Sequence, residues 1–374
     1  MQDAPALSLG SISPEEFLTT YWQKKPLLIR GAGAAPSIID KDWLLEACFD
    51  EDADSRLITG DGAEWPWHLT HAPLEPDDIP GDDGQTPWTI LLRHAEVRQP
   101  SLTALQEALS FIPAWRHQDV MISYASPGGS VGPHVDRYDV FLFQGPGTRN
   151  WAIDENARDR SLEWQDHPEL HLIKGFQATS NYLCEPGDLL YLPPNVPHWG
   201  VARSACLTYS IGFRTPTTSE LLLSLATVLS ERGNDVPYGD ADLSIDEAGT
   251  VISPRATARA SHLLQSALNS DDLLNQALAL WASDPIGEFE PSESDLSADG
   301  WQRVPGSRLA LSANGTLFAD GEPLSPPPGA ASLARDIVDD RQWAGQKDGW
   351  SKDEQKLLEN LAEIGAVFGP DEVD

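Results

Sequence analysis

Residues 119–154 read DVMISYAS-PGGSVGP-HVDRYDVFLFQ-GPGT-RNWAID, and this stretch decides the fold. Three short runs with strand-like composition are separated by turns of Gly and Pro, with no intervening helical stretch of ten or more residues. The pattern continues downstream with HLI (171–173), ATSNYLCEPGD (178–188), LLYLPP (189–194) and CLTYSIGFR (206–214). Many short strands with regular Gly/Pro punctuation predict a jelly-roll or barrel rather than a parallel α/β sheet.

Upstream, SPEEFLTTYWQKKPLLIR (13–30) opens with a helix start: Ser13 as cap, Pro14 at the first helical position, Glu15 and Glu16 in the first turn. Pro26 ends that helix and LLIR reads as a strand. Further helices are expected from about 36 to 56, around DWLLEACF, and over SLTALQEALSFI (101–112), with a surface loop rich in Pro, Gly and Asp at 73–87 between them. After Thr215 the texture turns helical, with SELLLSLATVLSER (219–232) and ARASHLLQSALNSDDLLNQALALWAS (258–283) as amphipathic stretches. DPIGEFEPSESDLSADG (284–300) reads as an acidic linker. Beyond it, 307–324 reads as two short strands around a Gly turn, and 331–345 and 352–368 as two helices.

The net charge of −33 over 374 residues disfavours direct binding of nucleic acid, itself a dense array of phosphates. It suits either a basic partner or solvation in a salty cytoplasm. No run approaches the roughly 20 apolar residues of a membrane span, and MQDAPALSLGSISPEEF (1–17) carries neither a basic nor an apolar leader region. Cys48, Cys184 and Cys206 are far apart and read as small core residues of a reducing cytoplasm.

His134-Val135-Asp136 places an imidazole and a carboxylate two residues apart, on one face if the segment is a strand. His198, in YLPPNVPHWG (191–200), supplies a third ligand, its direction fixed by the prolines before it. Two His and one carboxylate with open positions form the facial triad of non-haem Fe(II) oxygenases. The bland alternative is a chance HxD triplet. His68, His71, His167 and His171 lack such a context and read as surface or loop residues.

FLTTYWQKKPLLIR (17–30), MISYASPGGSVGPHVDRYDVFLFQGPGTRNWAI (121–153), EPGDLLYLPPNVPHWG (185–200) and LTYSIGFRTP (207–216) together resemble the JmjC-type 2-oxoglutarate oxygenases, specifically the bacterial ribosomal-protein arginine hydroxylases. The resemblance implies a double-stranded β-helix catalytic domain over 1–215. A helical dimerisation region over 216–285 and a small winged-helix-like domain over 286–374 would follow. It implies His134, Asp136 and His198 as iron ligands, with Arg149 binding the distal carboxylate of 2-oxoglutarate and Ser123 helping to hold it. Arginine suits that role because its fork matches a carboxylate; Lys174 is the rival. Fe(II), 2-oxoglutarate and dioxygen are the implied cofactor and cosubstrates. The implied substrate is an arginine, hydroxylated at its β-carbon, in the sixteenth protein of the large ribosomal subunit, a basic partner for an acidic, cytoplasmic, homodimeric enzyme.

Two other classes stay open. One is a hydroxylase of the same fold acting on histidine, asparagine or a small molecule. The other is a non-oxygenase cupin with a structural metal, which would need no dicarboxylate receptor. Tyr138 and Asp139 are possible substrate contacts, but the preferred reading is that Tyr138 packs and Asp139 is solvated.

Overall fold

Ser13 caps the first helix, its hydroxyl accepting from Glu16 N at 3.1 Å. The computed structural model describes residues 6–60, 67–81, 85–156, 161–233, 235–285, 300–341 and 343–369. Contacts divide the chain into two units, Met1–Thr215 and Pro216–Asp374. In chain order the first contains β1 (Ala6–Leu7), α1 (Pro14–Thr20), β2 (Leu27–Ile29), β3 (Gly33–Ala34), α2 (Lys41–Cys48), β4 (Ser55–Thr59), β5 (His68–His71), β6 (Trp88–Leu92), α3 (Ala95–Arg98) and α4 (Thr103–Glu107). Then come β7 (His117–Ala125), β8 (Asp139–Gln144), β9 (Arg149–Ile153), β10 (Ser180–Cys184), β11 (Leu189–Leu192), β12 (His198–Ala202) and β13 (Cys206–Phe213).

Among the described residues, eight strands form one antiparallel sheet in the order β2-β11-β8-β13-β7-β6-β4-β5. Three more, β10-β9-β12, form the facing sheet, which bridges at Ser130↔Val201 and His134↔His198 extend. The order of β7 to β13 across the two sheets is that of the double-stranded β-helix expected from the sequence. β8 shows why its sequence is apolar throughout. Phe141 and Phe143 pack into the core formed with Phe17 of α1, Leu44 of α2 and Leu105 of α4. Val140 and Leu142, on the opposite face, join Trp151, Ile153, Leu190 and Leu192 between the sheets. A strand buried on both faces loses the polar alternation of a half-exposed one. β13 keeps an alternation, because Leu207, Tyr209, Ile211 and Phe213 face the helices and leave Cys206, Thr208 and Ser210 on the other face.

Several elements are shorter than the sequence predicts. The 36–56 helix is confined to Lys41–Cys48, where Asp40 caps it by accepting from Trp43 N at 2.8 Å. SLTALQEALSFI becomes a 3-10 turn, Pro100–Leu102, running into α4. HLI is no strand; it belongs to a loop that doubles back through the isolated bridge Trp164↔Ile173. All three cysteines are buried thiols, and burial pushes Cys48 and Cys184 up to about 12, so none is a ready nucleophile.

The second unit holds α5 (Thr218–Glu231), α6 (Pro254–Leu268) and α7 (Asp271–Ser283), then β14 (Gly300–Arg303), β15 (Leu309–Leu311), β16 (Leu317–Ala319), β17 (Glu322–Leu324), α8 (Ala331–Asp339), β18 (Ala344–Gln346), α9 (Lys352–Ile364) and β19 (Val367–Phe368). Residues 307–324 form three strands in a meander rather than two, since the Asp320-Gly321 turn, both at positive φ, adds a second hairpin. Leu333, Ile337, Leu357, Leu358 and Leu361 of α8 and α9 make a core with Leu309, Leu317 and Val367. Most of the acidic stretch 284–300 lies outside the described residues. No helix among the described residues is long and apolar enough to cross a membrane.

Candidate functional site

His134 and Asp136 do not sit on a regular strand. Pro133 lacks a backbone donor and Gly132 adopts φ +82°, so the chain stays irregular until β8 begins at Asp139. Backbone pairing replaces the strand. His134 N donates to His198 O at 3.0 Å, and His198 N donates back at 2.9 Å. Asn195, left-handed at φ +63° in the PPNVP turn, donates its N–H to Asp136 O at 2.7 Å. These three bonds gather the side chains without any cross-link between them.

One ligand atom from each of His134, Asp136 and His198 lies within 4.8 Å of the others. Each His Nδ1 lies 2.9 Å from a backbone carbonyl, Gly132 O for His134 and Val196 O for His198. A carbonyl only accepts, so Nδ1 carries the proton and Nε2 keeps its lone pair. Both Nε2 atoms face the Asp136 carboxylate, at 3.7 and 3.5 Å, too long for hydrogen bonds and open enough for an ion between them. Burial, then the neighbouring His134, pushes His198 down to about 4, which keeps it neutral at physiological pH. Two imidazoles whose Nδ1 atoms face carbonyls, leaving Nε2 toward one carboxylate, fit a divalent cation such as Fe(II).

The same residues line a cavity of about 410 Å³ that also touches Ser123, Arg149, Trp151, Tyr138, Val140 and Leu142. Arg149, at the start of β9, is only 2 % exposed. Its guanidinium donates to Ser123 Oγ at 3.2 Å and to Thr208 Oγ1 at 3.4 Å, while Nε has no partner. No carboxylate among the described residues pairs with it, and burial alone lowers its pKa. A buried cation without a counter-ion is costly, and a bound dicarboxylate would supply one. Thr208 escaped the reading of the sequence, although the polar positions alternating along CLTYSIGF mark it.

Other expectations change. Lys174 is exposed and lines a separate concavity beside Asp154 and Phe176. Asp139 is not solvated; it is fully buried and accepts from Gln23 Nε2 at 2.9 Å, Arg116 at 3.0 Å and Tyr191 OH at 2.6 Å. Tyr138 packs, as expected, and also lines the cavity. The Asp136 carboxylate, followed by burial, holds its phenol protonated. His171 lines the cavity too, whereas His71 pairs with Glu169 at 2.6 Å. His167 Nδ1 accepts from the backbone of Glu169 and Leu170, organising its loop. Gly212 sits in a bulge of β13 against β7. A β-carbon there would meet Asp119 Oδ1 at 3.2 Å, Gln118 at 3.3 Å and Tyr138 at 3.7 Å, so the bulge packs too closely to hold a side chain without a shift.

Known proteins match this arrangement. Residues 104–221 fit the JmjC domain. The chain is 31% identical over 341 residues to the ribosomal protein uL16 3-hydroxylase of Escherichia coli, covering 86% of this chain and 89% of that one. It is 32% identical to a probable ribosomal oxygenase of Haemophilus influenzae, covering 77% and 76% of the two. Among solved structures, E. coli YcfD superposes with a TM-score of 0.79 at 27% identity, over 96% of this chain and 98% of that one. The complex of the YcfD ribosomal oxygenase with cobalt and 2-oxoglutarate superposes at 0.76 and 25% identity, over 97% and 99%. On identity sustained over most of both chains, this protein belongs to the JmjC-domain ribosomal oxygenase family.

Proposed function

We propose that the chain is an Fe(II)- and 2-oxoglutarate-dependent protein hydroxylase that places a hydroxyl on the β-carbon of an arginine in ribosomal protein uL16. One observation carries the reading: a two-His, one-carboxylate cluster and a buried, uncompensated arginine line the same cavity. The first suits a catalytic metal with open positions. The second suits the far carboxylate of a diacid, and a purely structural metal would leave it without a purpose.

Bound iron(II) with 2-oxoglutarate supplies the redox chemistry, coupling decarboxylation of the cosubstrate to succinate with insertion of one dioxygen atom into a carbon–hydrogen bond. His134, Asp136 and His198 hold the metal on one face. Arg149, with Ser123 and Thr208 beside it, orients the cosubstrate. Val140, Leu142 and Trp151 keep the chamber apolar and limit water.

We read the protein as a cytoplasmic homodimer that carries its basic substrate to an acidic surface. Leu222 and Leu223 on α5, Leu264 and Leu268 on α6 and Leu274 on α7 are exposed, an apolar surface that two-fold pairing would cover. We keep the winged-helix-like reading for the C-terminal part and assign it protein contacts, since the acidic chain disfavours nucleic acid. The deciding assay incubates protein, Fe(II), 2-oxoglutarate and a uL16 peptide containing the arginine. A 16 Da gain on that arginine supports the reading; turnover of 2-oxoglutarate with no peptide product under any condition overturns its substrate.

A further inference from the structure

His134 is the less protected of the two histidines, its side chain 24% exposed against 3% for His198. What aims its ring is the Gly132 carbonyl, 2.9 Å from Nδ1. The position of that carbonyl is not set by regular pairing, because residues 131–133 belong to no strand. Three contacts hold it. Gly132 N donates to Ser130 Oγ at 3.0 Å, and Ser130 Oγ in turn accepts from Trp199 Nε1 at 2.9 Å. The other two contacts come from a distant loop.

That loop, 163–174, doubles back on itself as a strap. Trp164 bridges Ile173, Gln165 N donates to Leu172 O at 2.8 Å, and Lys174 N donates to Glu163 O at 2.8 Å. Its returning arm fastens beside the metal cluster, where Ile173 N donates to Pro133 O at 2.8 Å. One residue earlier, Leu172 lies over Gly132 so closely that a β-carbon on the glycine would stand 2.6 Å from Leu172 Cδ2. Trp67 backs the leucine in a small buried cluster with Ile58. His167 Nε2 reaches Trp67 O at 3.3 Å, and Glu169 pairs with His71, so the strap is tied to the β4–β5 hairpin at both levels. Glu169, Leu170, His171 and Leu172 itself line the cavity.

We propose that the strap positions the first metal ligand: Leu172, clamped by Trp67, fixes the Gly132 carbonyl and through it the His134 imidazole. Leu172 is a positioning residue, acting on the cluster through the Gly132 carbonyl. The strap thereby links the rim of the cavity, where a protein substrate must arrive, to the geometry of the metal cluster. The proposal rests on the reading of His134, Asp136 and His198 as a metal site.

The test titrates Co(II) alone into metal-free wild type, Leu172→Ala and Leu172→Met, following the visible absorption of the bound ion and, separately, thermal melting without metal. Leu172→Ala should weaken Co(II) roughly ten-fold or more, the scale of losing an outer-shell partner, and shift the absorption band. Leu172→Met, which refills the volume, should restore both. A merely structural leucine would lower the melting temperature and leave affinity and band unchanged, and that result overturns the proposal. If Leu172→Ala does not fold, Leu172→Val stands in, with a smaller loss expected and an unchanged affinity and band again overturning it. A wild type that binds no Co(II) would instead overturn the metal-site reading, and the proposal with it.

Discussion

His134 and His198 exchange both backbone hydrogen bonds across a single bridge, with ring centroids 4.3 Å apart. The bridge is a backbone feature, and it sets the two imidazoles side by side. His134→Ala, Asp136→Ala and His198→Ala should each reduce 2-oxoglutarate turnover to background, because two protein ligands cannot hold the open site. Circular dichroism should stay close to wild type. A single variant with near-wild-type turnover removes that residue from the ligand set.

Arg149→Met should act in opposite directions on stability and binding. Removing a buried, uncompensated charge should raise the melting temperature of the ligand-free protein. The loss of a charge-assisted pair should weaken 2-oxoglutarate by roughly 2–5 kcal/mol, on the order of thirty- to several-thousand-fold. Adding Co(II) and 2-oxoglutarate should therefore raise the melting temperature of wild type more than that of the variant. Equal shifts would take Arg149 out of the cosubstrate site.

Asp139→Ala should destabilise the first unit by roughly 3–5 kcal/mol, since it strands the Arg116 guanidinium in a poorly hydrated place. Asp139→Asn should cost less, as the amide still accepts hydrogen bonds. Denaturant unfolding measures both, and a variant as stable as wild type would show that Arg116 finds another acceptor.

Leu223→Glu should yield monomers. Leu223 is 70% exposed on α5, and a charge there would be buried by any pairing through that face. Light scattering in moderate salt distinguishes a dimer from a 40.8 kDa chain. A wild type already of monomer mass rejects the dimer outright.

The sequence made the metal cluster legible because its spacing and prolines are local signals. HxD lies within three residues and PPNVPH within six. Arg149 was named from the resemblance, its place after a turn only allowing it to face inward, and it does line the cavity. What stayed hidden depends on partners far along the chain. Asp139 looks like a solvated neighbour of HxD until Gln23 and Tyr191 are found against it, 116 and 52 positions away. The strap reads as a loop with spare histidines, since nothing in HLI indicates that Leu172 rests on a glycine forty residues earlier. Helix lengths were overestimated at α2 and α4 because apolar spacing continues past the point where the backbone turns off to meet the sheet.

The two-sided burial of β8 makes tolerance to substitution alternate along it. Phe141 and Phe143 support the scaffold with the N-terminal helices, whereas Val140 and Leu142 shape the chamber. Changes at the first pair are screened by folding, and changes at the second by which molecules fit. Adjacent codons of one strand thus answer to different selective pressures, and a related enzyme could acquire a new chamber shape by altering every second residue while its architecture stayed as it was.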